Sequence, residues 1–366
     1  MTGEGVYPAR RRASIGVRAG GLAIGGGAPV SVQSMANADP HDLPTLIAQV
    51  NRLAEAGCEL VRLAVPDLDA ARNLAAVKRA VNVPLAADIH FDHRLALAAL
   101  DAGVDKLRLN PGNIGGPECV RAVAAAALAR EVPIRVGVNA GSLPREMLAR
   151  HGGPTAAALV DTALAQVRLL EDEGCRAIVI SVKASDVTRT IEAYRLLAGA
   201  CPYPLHLGLT EAGLPERSLV HSSIALGILL AQGIGDTIRV SLTGDPEKEV
   251  AAGYEILRAL ELRARGPTVI ACPTCGRCAI DLPALARQVS DAVRRFRQPW
   301  TIAVMGCAVN GPGEARQADL GVAGGRGEGL IFRRGRPVRK VPAAGLLQAL
   351  LEEIESLAGA KNSPSD

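Results

Sequence analysis

Apolar and polar positions change period repeatedly along the chain. Between about residue 30 and residue 262, short runs rich in β-branched residues occur at 30–33, 60–65, 85–89, 106–109, 134–138, 177–182, 205–209 and 237–242. Between successive runs lie stretches rich in alanine and leucine with helical spacing, as at 43–56, 156–173 and 218–232. A last helical stretch, 247–262, follows the eighth strand. Eight strand–helix units in about 230 residues predict a (β/α)8 TIM barrel. The rival is a doubly wound open sheet, which requires a glycine-rich phosphate turn directly after an early strand. Here Gly25, Gly26 and Gly27 precede the first barrel strand, which favours the barrel.

The pattern changes after a short linker at 263–267. Strand signals at 268–271, 300–304, 319–322 and 329–333 alternate with helical stretches at 283–296 and 343–357. They predict a smaller α+β domain, 264–366, after a barrel domain, 1–263. The basic stretch 333–340 reads as a solvated hairpin.

Composition narrows the function classes. Hydrophobic residues make up 48% and charged residues 21%, a globular rather than a disordered balance. A net charge of +4 with only 2% aromatic residues gives no footing for nucleic-acid binding. No apolar run reaches the length that spans a bilayer, so no membrane association is expected. Arg10, Arg11 and Arg12 are followed by a glycine-rich stretch with no apolar core, so no export signal is read and a cytoplasmic location is expected. Eight cysteines in such a chain do not suggest a disulfide framework; three of them within seven residues suggest a metal site.

In a TIM barrel the chemistry lies at the C-terminal ends of the strands, where alternate side chains share a face. The residues there are Gln33, Arg62, Asp88, His90, Arg108, Asn110, Arg135, Asn139, Lys183, Glu211, Arg239 and Ser241. Any one of these arginines alone is most simply a structural ion pair, and Asp88 or Glu211 alone a neutralising partner. Five cations on five strands at one end are harder to account for that way. They repel one another and are costly to desolvate, so this mouth calls for a polyanion such as a diphosphate. Arginine offers bidentate contacts to phosphate oxygens, and lysine a point charge.

The second domain contains Cys272-Pro-Thr-Cys275-Gly-Arg-Cys278 and, later, Met305-Gly-Cys307-Ala-Val-Asn310-Gly-Pro-Gly-Glu314. Two thiolates three apart, with a third from a distant loop, hold zinc or an iron–sulfur cluster. The fourth ligand is Cys278 or a carboxylate such as Glu314. Cys58, Cys119, Cys175 and Cys201 are scattered and read as small buried hydrophobes. Topology adds a constraint. The helix after the eighth strand runs back to the opposite end of the barrel, so the metal domain is expected to leave from the end remote from its own anion site. A metal that serves that site must then reach a second subunit, which predicts a head-to-tail homodimer with shared active sites.

These residues bear a family resemblance. Val30-Ser-Val-Gln-Ser-Met35, Val61-Arg-Leu-Ala-Val-Pro66, Ala87-Asp-Ile-His-Phe-Asp92, Lys106-Leu-Arg-Leu-Asn-Pro-Gly-Asn113, Ile134-Arg-Val-Gly-Val-Asn139 and both cysteine motifs resemble the bacterial two-domain 4-hydroxy-3-methylbut-2-enyl diphosphate synthases. These are iron–sulfur reductases of the methylerythritol phosphate route to isoprenoids. The resemblance runs from about Arg11 to the last helix. It implies a [4Fe-4S] cluster held by Cys272, Cys275, Cys307 and Glu314. It implies the substrate 2-C-methyl-D-erythritol 2,4-cyclodiphosphate, with its phosphates on Arg62, Arg108, Arg135, Lys183, Arg239 and Ser241 and with Asn139 helping to hold it. The reaction opens the cyclic diphosphate and removes a hydroxyl as water. Its two electrons come singly from reduced flavodoxin or ferredoxin. Glu211 and Asp88 are candidates for proton delivery or for binding the sugar hydroxyls. Asn310 is a candidate for hydrogen bonding near the cluster. The resemblance also implies the head-to-tail dimer. Cys278 departs from it, since a non-thiol is expected there; the intact Gly-Pro-Gly-Glu314 keeps Glu314 as the expected fourth ligand. Two rivals remain on the residues alone: a zinc-stabilised phosphosugar barrel with Lys183 as a Schiff-base lysine, and a cluster-carrying electron-transfer protein.

Overall fold

The computed structural model describes residues 10–211, 213–307 and 315–360. The chain divides into two compact units, Met1–Arg263 and Ala264–Asp366. Each is described by itself.

The first unit opens with a two-stranded hairpin, β1 (Val17–Ala19) and β2 (Leu22–Ile24). Eight parallel strands follow: β3 (Ser31–Met35), β4 (Leu60–Val65), β5 (Leu85–Ile89), β6 (Lys106–Leu109), β7 (Ile134–Asn139), β8 (Ile178–Lys183), β9 (His206–Leu207) and β10 (Thr237–Ile238). Their order is β8-β7-β6-β5-β4-β3-β10-β9, and an Ile180–Leu205 bridge closes the ring. This is the TIM barrel expected from the sequence.

Local chemistry sets the helix starts. The side chains of Asp42, Asp67, Asp92, Thr155, Asp186 and Asp245 each accept a backbone N–H of the helix that follows. The outward strand residues, such as Val61, Leu63, Val136, Val138 and Ile180, pack on helix residues such as Leu53, Leu74, Leu100 and Leu159. The main apolar core therefore lies outside the strands, and the inside is left largely polar.

Three features differ from the sequence expectation. The β1–β2 hairpin was not foreseen; its Val17, Ala19 and Ile24 pack on Leu60, Ala86 and Val179 and seal the bottom of the barrel. Three-residue strands are too short to display alternation. The seventh and eighth strands are also shorter than their β-branched runs. Beyond Ile238 the ladder continues as one bond, Arg239 N–H to Leu207 O at 3.0 Å. Side chains then take over: Ser241 Oγ donates to Leu209 O (3.2 Å), and Leu242 N–H donates to the Glu249 carboxylate (3.0 Å).

The barrel's last helix, Pro246–Ala259, has 14 residues and a length of about 21 Å at 1.5 Å per residue. After it, Arg263 donates to Val30 O at 2.6 Å and pairs with Glu59 at 2.7 Å. Val30 and Glu59 each precede a strand. The barrel unit therefore ends at the N-terminal face of its strands, opposite the mouth.

The second unit is a five-stranded mixed sheet ordered β11 (Thr268–Ala271), β12 (Thr301–Met305), β13 (Leu320–Gly324), β14 (Glu328–Arg333), β15 (Arg336–Pro342). Helices Leu282–Val293 and Leu346–Ala360 pack with the sheet around Trp300, Ile302, Val304, Leu320, Val322 and Ile331. The fifth strand lies in the basic stretch read as a hairpin. Charged and exposed, it discourages a further strand from adding at that edge.

Candidate active site

The inward positions at the strand C-termini enclose a cavity of about 150 Å³. Its lining includes Arg62, Arg108, Arg135, Asn139, Lys183, Arg239 and Ser241, together with Asp88, His90, Ser181, Leu209 and Thr210. All seven residues expected to hold the phosphates or the sugar therefore line one cavity.

Two carboxylates organise three of the five cations. Asp88 accepts from Arg108 Nη1 at 3.0 Å and lies 3.7 Å from Arg62 Nε and 3.4 Å from His90 Nε2. Burial opposes its ionisation, but Arg62, His90 and Arg108 outweigh burial and hold its carboxyl well below the usual range. Asp88 is thus a fixed anion at neutral pH with no proton to give. The second carboxylate is Glu249, which the sequence reading missed. It reaches in from the last barrel helix and is 2% exposed. It takes Arg239 through Nε (3.0 Å) and Nη2 (2.9 Å), and also accepts from Ser34 Oγ at 2.7 Å. Its signal was available: Glu249 shares the apolar face carrying Val250, Gly253, Tyr254 and Leu257.

Arg135 and Lys183 have no carboxylate partner among the described residues, and Arg135 Nε has no hydrogen-bond partner there. Burial and the neighbouring cations push both well below their ordinary values. Burial brings Arg62 down to about 10. These shifts express the electrostatic strain of a cavity of one sign. Two glycines make room for the cations. A Cβ at Gly137 would lie 2.7 Å from Arg108 Nε; one at Gly208 would lie 2.8 Å from Lys183 Nζ and 2.7 Å from Arg239 O.

Not every expected residue lies in the cavity. Glu211 is exposed, outside the lining, with φ of 53°. That left-handed conformation at the end of the seventh strand turns the chain away from the strand direction. Gln33 is buried beneath the mouth, donating to Thr237 Oγ1 at 2.7 Å, and Asn110 caps its own turn by accepting from Gly112 N–H. Asn310 and Glu314 lie outside the described residues.

In the second unit, β11 and β12 run parallel with Ala271 opposite Val304. Both cysteine loops therefore leave the same end of the sheet. Gly306 N–H donates to Cys272 Sγ at 3.3 Å, and Ala279 N–H to Gly306 O at 2.9 Å. Cys278 Sγ rests against Gly306, where a Cβ would lie 2.5 Å from it. Cys307 is buried and Cys275 exposed, and all eight cysteines are free thiols. Among the described residues, no three Cys, His, Asp or Glu side chains already form a metal-holding group. Of the remaining cysteines, Cys58 and Cys175 are buried, as expected, whereas Cys119 and Cys201 are partly exposed.

Comparison with known proteins agrees with this geometry. Residues 14–254 match the GcpE TIM-barrel domain, and residues 268–356 match the GcpE protein C-terminal domain. A 4-hydroxy-3-methylbut-2-en-1-yl diphosphate synthase (flavodoxin) of Geobacter sulfurreducens is 56% identical over 94% of this chain and 98% of its own length. Relatives bearing the same name in Dehalococcoides mccartyi and Nitratidesulfovibrio vulgaris are each 53% identical over 95% of this chain, covering 99% and 90% of their own lengths. Among solved structures, a dihydropteroate synthase from Xanthomonas albilineans aligns over 68% of this chain and 98% of its own, with a TM-score of 0.50 and 18% identity. That likeness speaks for the barrel fold alone. Matched over both units, and by relatives across nearly its whole length, the chain belongs to the GcpE family.

Proposed function

We propose that this chain is a flavodoxin-dependent oxidoreductase of isoprenoid biosynthesis. It converts 2-C-methyl-D-erythritol 2,4-cyclodiphosphate to 4-hydroxy-3-methylbut-2-enyl diphosphate by reductive ring opening and loss of water. The observation that carries this reading is the mouth: five convergent cations, two of them without a carboxylate partner among the described residues, in a chain whose relatives are named for this product. The cyclic diphosphate dianion, two electrons and one proton balance the linear diphosphate trianion and one water.

In this reading unit 1–263 binds substrate and unit 264–366 carries a [4Fe-4S] cluster. Free thiols on two loops at one end of a parallel strand pair are a donor set suited to such a cluster. Cys272, Cys275 and Cys307 would hold it, with Glu314 as the fourth ligand. The bound cluster supplies the electron transfer that no side chain can. Arg62, Arg108, Arg135, Lys183, Arg239 and Ser241 bind the phosphates and neutralise them, and Asn139 orients the sugar. Asp88 and Glu249 fix the arginines. Glu211, on the loop at the rim, and Asn310, beside Cys307 in sequence, remain candidates for proton delivery and hydroxyl binding. Reduced flavodoxin is the proposed donor, and ferredoxin the alternative. The proposed location is the cytoplasm; no helix among the described residues is long and apolar enough to cross a membrane.

The active sites are proposed to be shared in a head-to-tail homodimer. The barrel unit's end at Val30 and Glu59, opposite the mouth, supports this. So does an exposed apolar stripe on helix Pro215–Ala231, formed by Val220, Ile224 and Ile228 at four-residue spacing.

The test is the ultraviolet–visible spectrum of protein purified without oxygen, with iron, sulfide and zinc counted on the same sample. A shoulder near 400 nm, bleached by dithionite, with about four irons and four sulfides is expected of a cubane cluster. One zinc and no colour would overturn the reductive reading.

A further inference from the structure

Beneath the cations at the mouth lies a second tier of basic side chains that the proposed reaction leaves unused. Lys106 stands two residues before Arg108 on β6 and so faces the barrel interior with it. It is 1% exposed, and its Nζ has no hydrogen-bond partner among the described residues. His206, at the start of β9, is equally buried, and neither ring nitrogen has a partner there.

The charged groups around this tier are almost all cations. Arg62 comes from β4, Arg108 from β6, Arg135 from β7 and Lys183 from β8. Arg239, above Thr237, is held by Glu249. Asp88 of β5 is committed to Arg62 and Arg108. Tyr194, from helix Val187–Ala200, turns its hydroxyl to His206 O, and Gln33 and Thr237 bond to each other. Neither Lys106 nor His206 has a carboxylate partner among the described residues.

We infer that Lys106 and His206 form a proton-accepting floor to the anion site, neutral in the empty barrel and taking up about one proton when the cyclic diphosphate binds. This rests on the proposed function and adds to it. An unpaired ammonium or imidazolium inside a cavity of like charge is doubly disfavoured, by desolvation and by repulsion. Burial, then Arg135 and Arg62, push Lys106 well below its ordinary value. Burial, then Arg135 and Lys183, do the same to His206. A bound diphosphate neutralises those same cations and reverses the field at the floor. The empty barrel thus avoids further unpaired charge, and the loaded barrel gains attraction.

Linkage fixes the sign: a ligand that draws a proton onto the protein binds more tightly as pH falls, by up to about tenfold per pH unit for one proton. The probe is clean, because each phosphorus of a cyclic diphosphate carries a single strongly acidic hydroxyl and the ligand does not titrate near neutrality. The experiment is calorimetric titration of the oxidised, cluster-loaded protein with the cyclic diphosphate at pH 8, without reductant, in two buffers of different ionisation enthalpy. Expected is uptake of roughly one proton per site, lost in a Lys106→Met, His206→Gln double variant that still binds. Binding by the wild-type protein with no proton uptake overturns the inference, whether or not the variant folds. Undiminished uptake in the double variant overturns it too. If the cyclic diphosphate fails to bind at all, the functional reading beneath it falls instead.

Discussion

The two units hold their functional side chains by opposite means. In the barrel, five cations are set before any ligand arrives: inward-facing strand positions carry them, Gly137 and Gly208 leave them space, and Asp88 and Glu249 fix three of them. In the second unit the cysteines lie on loops and range from exposed to buried, tied mainly through Gly306, with no metal-holding group formed among the described residues. The difference fits the chemistry proposed for each unit. Recognition of a charged substrate gains from donors fixed beforehand, since nothing then reorganises on binding. Thiolate ligands are assembled by the metal they bind, so their loops need only be close.

The contrast can be broken by separating the two functions. Cys307→Ala gives the largest effect: cluster iron is lost and turnover falls on the order of a thousandfold. The cyclic diphosphate still binds to the variant within a few fold of wild type, as calorimetry checks. Arg135→Met gives the converse. Iron content is unchanged, while substrate affinity falls about 10–100-fold, the worth of one charge-assisted contact. The same variant is more stable without ligand, by about 1–3 kcal/mol, because a buried unpaired cation has gone. Lower stability in Arg135→Met would show that the cavity is not strained as described.

Smaller changes sharpen the barrel side. Glu249→Gln leaves the half-buried Arg239 beside a neutral amide, and a loss of about 2 kcal/mol of stability is expected with about a tenfold rise in KM. Gly137→Ala displaces the Arg108 guanidinium and raises KM by a smaller factor, with iron content intact. The mildest effect is on pH. Lys106 has a lowered value in the fold, so the unfolded chain binds more protons and the Lys106 contribution to ligand-free stability rises with pH up to about 10.4. Asp88, held low, contributes stability that is complete above about pH 4 and is lost only as pH falls through its folded value. It adds nothing to the change above pH 7. Thermal melts between pH 7 and 9 check this, and Lys106→Met flattens the rise.

Much of this was legible in the chain because strand periodicity and strand-end position are local properties. Arg62, Arg108, Arg135, Lys183 and Arg239 could be placed at one mouth by counting strands. The residues that were missed depend on longer-range packing. Glu249 acts from a helix, across β10, on a cation of another element. Lys106 was within reach of the alternation rule, two residues before Arg108, but it lies below the strand end. His206 gains its meaning only from the cations of other strands. Glu211 shows the reverse limit, since its position at a strand end was readable but its left-handed backbone was not.

The most direct test of the proposed sharing of sites between subunits is complementation between two impaired variants. Arg135→Met chains and Cys307→Ala chains, mixed and allowed to exchange subunits, form dimers in which one site pairs an intact barrel with the partner's intact cysteine unit. At substrate below the wild-type KM the account predicts that each variant alone keeps at most about a tenth of wild-type activity and that the mixture regains about a quarter, from one intact site in each mixed dimer. A mixture that forms mixed dimers and gains nothing over the variants alone would contradict it.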